Sequence, residues 1–328
     1  MMNLGVKCAQ TKEQLEKAIS IAEKYRLQAI EIQEVFNIME SVPTEKRAEL
    51  VIEYLKNSNI VYIAYHYPVR SRWDSVAEAK NYDLAWGSDK IIELSKETIK
   101  EAVFVVHRLE LDTIVPVNFH LFRFVEKDKV SREEKEKGLE IGEDSLIQLK
   151  NYANELCDEY GLVKSGRPLI QITRENNPPD HGFADGLLDY HPLEIIRTKE
   201  YGIKNCIDFA HFQQYINYLR YGKGELSGVD LDKEYYPADI DWEFAIETLK
   251  DNIILVHVND AQGYRKEGEG LEVGMGEINY EKVLSLLQKL KNDEIIYTIE
   301  IKDGHINWQK VERSIQKLRY YLNRMHSP

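Results

Sequence analysis

The sequence has three cysteines, Cys8, Cys157 and Cys206, and no C-x-x-C pair. That excludes a disulfide framework and a cysteine zinc site, and it fits a reducing cytoplasm. No apolar run approaches the length of a membrane span. The opening Met-Met-Asn-Leu-Gly-Val-Lys has no charged segment followed by an apolar one, so no secretory signal is expected. Basic residues are in deficit. Lys and Arg number 43 against 56 Asp and Glu, for a formal charge of −13. This argues against a dedicated nucleic-acid partner and is consistent with acidic groups gathered around a cation. No G-x-G-x-x-G follows the first apolar run, which counts against a dinucleotide-binding sheet. No linker is long or polar enough to divide the chain, so one domain over residues 1–328 is expected.

What is present is a recurring apolar run that ends in a chemical group. Ile253-Ile254-Leu255-Val256-His257-Val258-Asn259-Asp260 reads as a buried strand delivering a histidine. Val61 to His66 and Ala102 to His107 have the same form, and Leu169 to Glu175 ends in a carboxylate. Cys206 to His211 carries Asp208 and His211, and Tyr297 to Ile301 holds Glu300 between isoleucines. Leu4 to Cys8 and Ala29 to Gln33 add two strands. Helical patterns separate the runs. Thr11 and Gln14 form a capping signal, and Pro43 opens the next helix. Further helices are expected over roughly Val76 to Lys100, Arg132 to Tyr160, Trp242 to Lys250, Tyr280 to Leu290 and Trp308 to Asn323, with a short one after Pro192. Strict βα alternation implies a parallel sheet, and eight units predict a closed (β/α)8 TIM barrel. The long connections follow the His107, Glu175, His211 and Asp260 strands, which places them on the C-terminal face where active sites are built.

Glu175, Asp208, His257 and Glu300 then come from four successive strands at one rim. A carboxylate pointing into a barrel between isoleucines needs a partner. Three carboxylates and one imidazole suit Mn²⁺, Mg²⁺ or Co²⁺, and Zn²⁺ less exclusively. His66 and His107, beside Glu175, would complete a second metal site with Glu175 as the bridge. A lone histidine at a strand end is usually only hydrogen-bonded, and the case for these residues is collective. Arg174 and Arg265 could meet an anionic substrate, whereas Lys266 reads as a solvated charge. The Gly268 to Gly276 loop reads as a cover or a mobile surface loop. His181, His191, His305 and His326 receive no role.

At these residues the chain resembles the xylose-isomerase-like barrel superfamily of sugar isomerases and epimerases, which also holds the endonuclease IV group. The most specific piece is the ordered set Glu175, Asp208-x-x-His211, His257 and Glu300. The resemblance implies one divalent ion on Glu175, Asp208, His257 and Glu300, a substrate contact at His211, and an acid/base pair in Glu175 and Glu300. It implies an isomerase or epimerase of a small sugar, sugar phosphate or related ketone, with a metal-stabilised enediolate. His66 and Arg265 are further candidate substrate contacts. In the endonuclease IV group, His66, His107 and Glu175 match a first metal site and the four-residue set a second. Its third site needs an Asp-x-His pair, which the loop Lys266 to Gly274 lacks. A two-metal phosphodiesterase and a non-catalytic sugar-binding barrel are the alternatives. No nucleic-acid or membrane partner is expected, and association into a homo-oligomer is left open.

Overall fold

The computed structural model describes residues 2–67, 75–180, 186–222, 224–237, 239–304 and 306–325. Eight strands form the barrel: β1 (Asn3–Ala9), β2 (Ala29–Gln33), β3 (Tyr62–His66), β4 (Val115–Phe119), β5 (Ile170–Glu175), β6 (Lys204–Asp208), β7 (Ile253–Val258) and β8 (Ile296–Ile299). Each pairs in parallel with its neighbours in sequence, and β8 closes onto β1. The main helices are α1 (Lys12–Lys24), α2 (Thr44–Leu55), α3 (Asp89–Leu109), α4 (Arg132–Tyr160), α5 (Phe209–Tyr221), α6 (Trp242–Leu249), α7 (Tyr280–Lys289) and α8 (Trp308–Met325). The closed barrel is the predicted one. Among the described residues no helix is long and apolar enough to cross a membrane.

Helix ends follow local chemistry. The Thr11 hydroxyl accepts from the Gln14 amide at the start of α1, and Gly161 ends α4 with φ 69°. The alternation of strand side chains then builds the interior in layers. Val256 and Val258 of β7 pack outward into the core shared with the helices, whereas Leu255 belongs to a separate buried cluster with Ala29, Ala64, Cys206 and Ile296. That cluster plugs the barrel. Two residues further along each strand stand Glu31, His66, Asp208, His257 and Thr298, all buried. The period of two therefore sets a polar layer on an apolar floor, on the C-terminal side. Gly5 lets β1 approach β2: a Cβ there would lie 2.4 Å from the Ala29 carbonyl oxygen.

One predicted strand is overturned. Ala102 to His107 lies within α3. Buried Ile91, Ile92, Ser95, Thr98, Ile99, Ala102, Val103 and Val106 continue a single helical stripe, so the run of β-branched residues is the end of a long helix. The fourth strand is Val115–Phe119, whose Pro116 weakens its strand signal. The helix expected from Val76 is also interrupted. It stops at Ala79, and short 3₁₀ turns ending at Gly87 (φ 63°) precede α3.

Candidate metal centre

Glu175, Asp208, His257 and Glu300 each bring a ligand atom within 4.8 Å of the others. His257 is the hub. Its Nδ1 lies 3.0 Å from Glu175 Oε1, 2.7 Å from Glu300 Oε2 and 3.7 Å from Asp208 Oδ2. One N–H cannot serve three oxygens, and Glu300 Oε2 is left without a hydrogen-bond partner among the described residues. On the other side, His257 Nε2 sits 2.9 Å from Glu31 Oε1. That contact assigns a proton to Nε2, as a carboxylate does behind a metal-bound imidazole, and turns Nδ1 toward the cluster, where loss of its own proton would offer a lone pair to an ion. Thr298 Oγ1 donates to the other oxygen of Glu31.

The surrounding residues hold each ligand in place. Asp208 ends β6 and caps α5, its Oδ1 accepting from the His211 amide at 2.8 Å. Asn259 Nδ2 donates to Asp208 Oδ2 at 2.7 Å, and the Asn176 side chain bridges the Asp208 backbone. Asn118 Nδ2 donates to Glu175 Oε2, and Thr173 Oγ1 fixes Asn118 at 2.8 Å. Lys7 Nζ donates to Glu300 Oε1 at 2.7 Å. Four carboxylates (Glu31, Glu175, Asp208 and Glu300) thus converge with one ammonium among them.

The electrostatics follow from this crowding. Burial opposes charge on His257, but the facing carboxylates of Glu175, Glu31 and Glu300 outweigh it and raise the pKa well above the usual imidazole value. Asp208 is pushed up to about 6 by burial, with the like charges of Glu175 and Glu300 adding to it. For Glu175, burial is outweighed by His120 and His257, and its pKa falls well below the carboxylate range.

His66 enters from β3, and beside it stands His120, directly after β4. His66 Nε2 and His120 Nε2 lie 3.4 and 3.2 Å from Glu175 Oε2. Their other ring nitrogens face the Tyr67 carbonyl and Asn177 Oδ1, each at 2.8 Å. Those acceptors take the Nδ1 protons, so both Nε2 lone pairs point toward Glu175. His66, His120 and Glu175 also have ligand atoms within 4.8 Å of one another. Burial pushes His120 down to about 3, against the pull of Glu175.

His107 is therefore not part of the centre. It lies in the last turn of α3, exposed, with its ring 5.3 Å from that of Tyr160, and it lines a surface hollow with Leu162 and Leu169 at the opposite end of the barrel. Helices run back against the strands, so a residue ending a helix cannot reach the C-terminal rim. His211 is in the first turn of α5 rather than on a strand. Its Nδ1 lies 2.9 Å from the Asn176 carbonyl and 3.6 Å from Glu175 Oε1. Its Nε2 faces Glu269 Oε1 at 3.4 Å, from the loop after β7. Burial opposes charge on His211, but Asp208 and Glu269 outweigh it and raise its pKa to about 10. Arg265, 47% exposed, is paired with Glu225. Arg174 is buried against Asp189 at 2.5 Å and faces away from a ligand role. His181, His305 and His326 lie outside the described residues. Sequence reasoning missed Lys7, Glu31, Asn118 and His120. Glu31 had a signal, since it stands between Ile30 and Ile32 as Glu300 stands between Ile299 and Ile301.

No protein-family model matches the sequence, and no curated protein does. Solved structures do match. A 3-keto-D-glucoside 4-epimerase from E. coli shares 11% identity at a TM-score of 0.60, covering 98% of this chain and 100% of the other. A xylose isomerase domain protein from Planctomyces limnophilus shares 12% at 0.62, covering 99% and 98%. The IOLI protein, solved with a binding zinc atom, shares 15% at 0.60, again covering 99% and 98%. These likenesses bear on the fold, a closed eight-stranded parallel barrel, which is the one the βα alternation predicted.

Proposed function

We propose that this protein is a divalent-metal-dependent isomerase or epimerase of a small sugar or related ketone, working by proton transfer beside a carbonyl. The observation that carries the reading is the convergence of Glu175, Asp208, His257 and Glu300 on one point within 4.8 Å at the C-terminal rim. Proteins of the same fold that are named as sugar epimerases support it.

The residues fit an ion. Glu300 Oε2 is an orphaned acceptor among the described residues, His257 turns Nδ1 toward the cluster, and the carboxylates of Glu31, Glu175, Asp208 and Glu300 crowd around it and Lys7. Glu175, Asp208, His257 and Glu300 would hold the ion, and three oxygen donors with one nitrogen favour Mn²⁺, Co²⁺ or Mg²⁺ over Zn²⁺. A divalent ion bound there supplies Lewis acidity to a carbonyl and makes the adjoining C–H more acidic. Glu175 and Glu300, both beside His257 Nδ1, would take that proton and return it. His211 is held charged, and its Nε2 would orient a substrate hydroxyl. His66 would contact the substrate from β3. A cavity of about 500 Å³ opens beside Glu300, lined by Lys7, Gln33, Glu34, Phe36 and Asn37. Val35, Ile299, Ile301 and Val311 also line it, Glu300 is the one of the four expected ligands that reaches it, and its size suits a monosaccharide.

A second reading, a two-metal hydrolase, is favoured by one observation: two imidazole lone pairs face Glu175 Oε2. Metal content per chain, measured on protein purified without chelator, separates the two. One ion per chain, unchanged in a His66→Ala/His120→Ala variant, supports the isomerase and leads to a ketose panel. Two ions, falling to one in the variant, favour hydrolysis.

A further inference from the structure

Among the described residues, Lys7 is the one ammonium in the cluster. It stands on β1 in register with Glu31, and its side chain is 5% exposed. Its Nζ donates to Glu300 Oε1 at 2.7 Å and lies 3.7 Å from Glu31 Oε1. The two oxygens of Glu300 are thereby divided. Oε1 is engaged by the ammonium, and Oε2 is the one that lies 2.7 Å from His257 Nδ1 and lacks a hydrogen-bond partner among the described residues. Carboxylates bind divalent ions through one oxygen or through both. A charge-assisted hydrogen bond on one oxygen competes with an ion for that oxygen.

We propose that Lys7 is a positioning residue for the proton transfer: it occupies one oxygen of Glu300 so that only the other is offered to the ion. This rests on the metal-dependent reading above. With both oxygens on an ion, Glu300 would be a better ligand and a poorer base. With one oxygen held by Lys7, the carboxylate stays at the edge of the cavity, where its side chain is 32% exposed. A purely structural lysine would make the opposite forecast for the metal. If Lys7 only propped the cluster together, its loss would loosen the ligands and weaken binding. If it restrains Glu300, its loss frees a second oxygen and removes a positive charge beside the ion, and binding tightens.

The test compares Mn²⁺ affinity, by calorimetry, in the wild type, Lys7→Met and Lys7→Gln. Glutamine still donates a hydrogen bond and stands in if the methionine variant does not fold. Lys7→Met is expected to bind Mn²⁺ roughly fivefold or more tightly than wild type. It is also expected to exchange a ketose C–H about a hundredfold more slowly, at a KM little changed. Lys7→Gln falls between. Unchanged or weaker Mn²⁺ binding overturns the proposal, and so does tighter binding with full exchange. If the wild type exchanges no ketose, the functional reading fails and the proton-transfer role of Lys7 falls with it, whereas tighter Mn²⁺ binding by Lys7→Met in that case shows only that Lys7 restrains Glu300 as a ligand.

Discussion

Replacing Glu31 by glutamine removes one charge and leaves the shape of β2 unchanged. Glu31 touches no expected ion. It acts through His257, whose Nε2 lies 2.9 Å away, and it is itself held by Thr298. Both residues are fully buried, so water cannot replace the lost partner. A charge-assisted hydrogen bond contributes about 1.5–3 kcal/mol. Loss of a carboxylate behind a metal-bound imidazole typically costs about 10–100-fold in affinity or activity. The two agree, since tenfold corresponds to about 1.4 kcal/mol. Glu31→Gln is therefore expected to weaken Mn²⁺ binding about 10–100-fold at unchanged stoichiometry. Calorimetric titration measures both quantities, and circular dichroism checks the fold. An affinity within threefold of wild type would show that Glu31 does not orient His257, and the layered construction of the site would fail with it.

Other expectations concern the histidines, pH and packing. His107→Ala should leave metal content unchanged and stability within about 0.5 kcal/mol, as for an exposed surface residue, judged by mass spectrometry and urea unfolding. Mn²⁺ affinity should rise with pH. The metal-free His257 has its pKa raised, so the Nδ1 proton must leave when an ion binds. Below that pKa the affinity should gain about tenfold per pH unit, and a flat profile would contradict the role of Nδ1. Gly5→Ala should destabilise the barrel by about 1–3 kcal/mol, because a Cβ 2.4 Å from the Ala29 carbonyl forces β1 and β2 apart. A variant as stable as wild type would refute that contact.

The sequence signals that survived share a physical cause. A polar residue inside an apolar strand must find a partner, so Asp208, His257 and Glu300 were legible wherever the strand was. Glu175 and the long loops marked the same rim. His107 misled because four residues rich in β-branching fit a strand and a helix end equally well. Only the stripe reaching back to Ile91 decides between them. His120 was obscured for the converse reason: its strand contains Pro116 and Asn118, neither of which reads as a strand residue. Lys7 and Glu31 depend on pairing across strands, and register is a property of the closed barrel.

The central claim is tested most directly by solvent hydrogen exchange. Mn²⁺-loaded protein would be incubated in D₂O with a panel of ketoses, D-fructose and D-allulose among them, and deuterium beside the carbonyl followed by NMR. The expected result is Mn²⁺-dependent deuterium incorporation into at least one ketose, abolished by Glu300→Gln with the fold intact. Full incorporation in Glu300→Gln, or none in the wild type with any ketose, would contradict proton transfer at this centre.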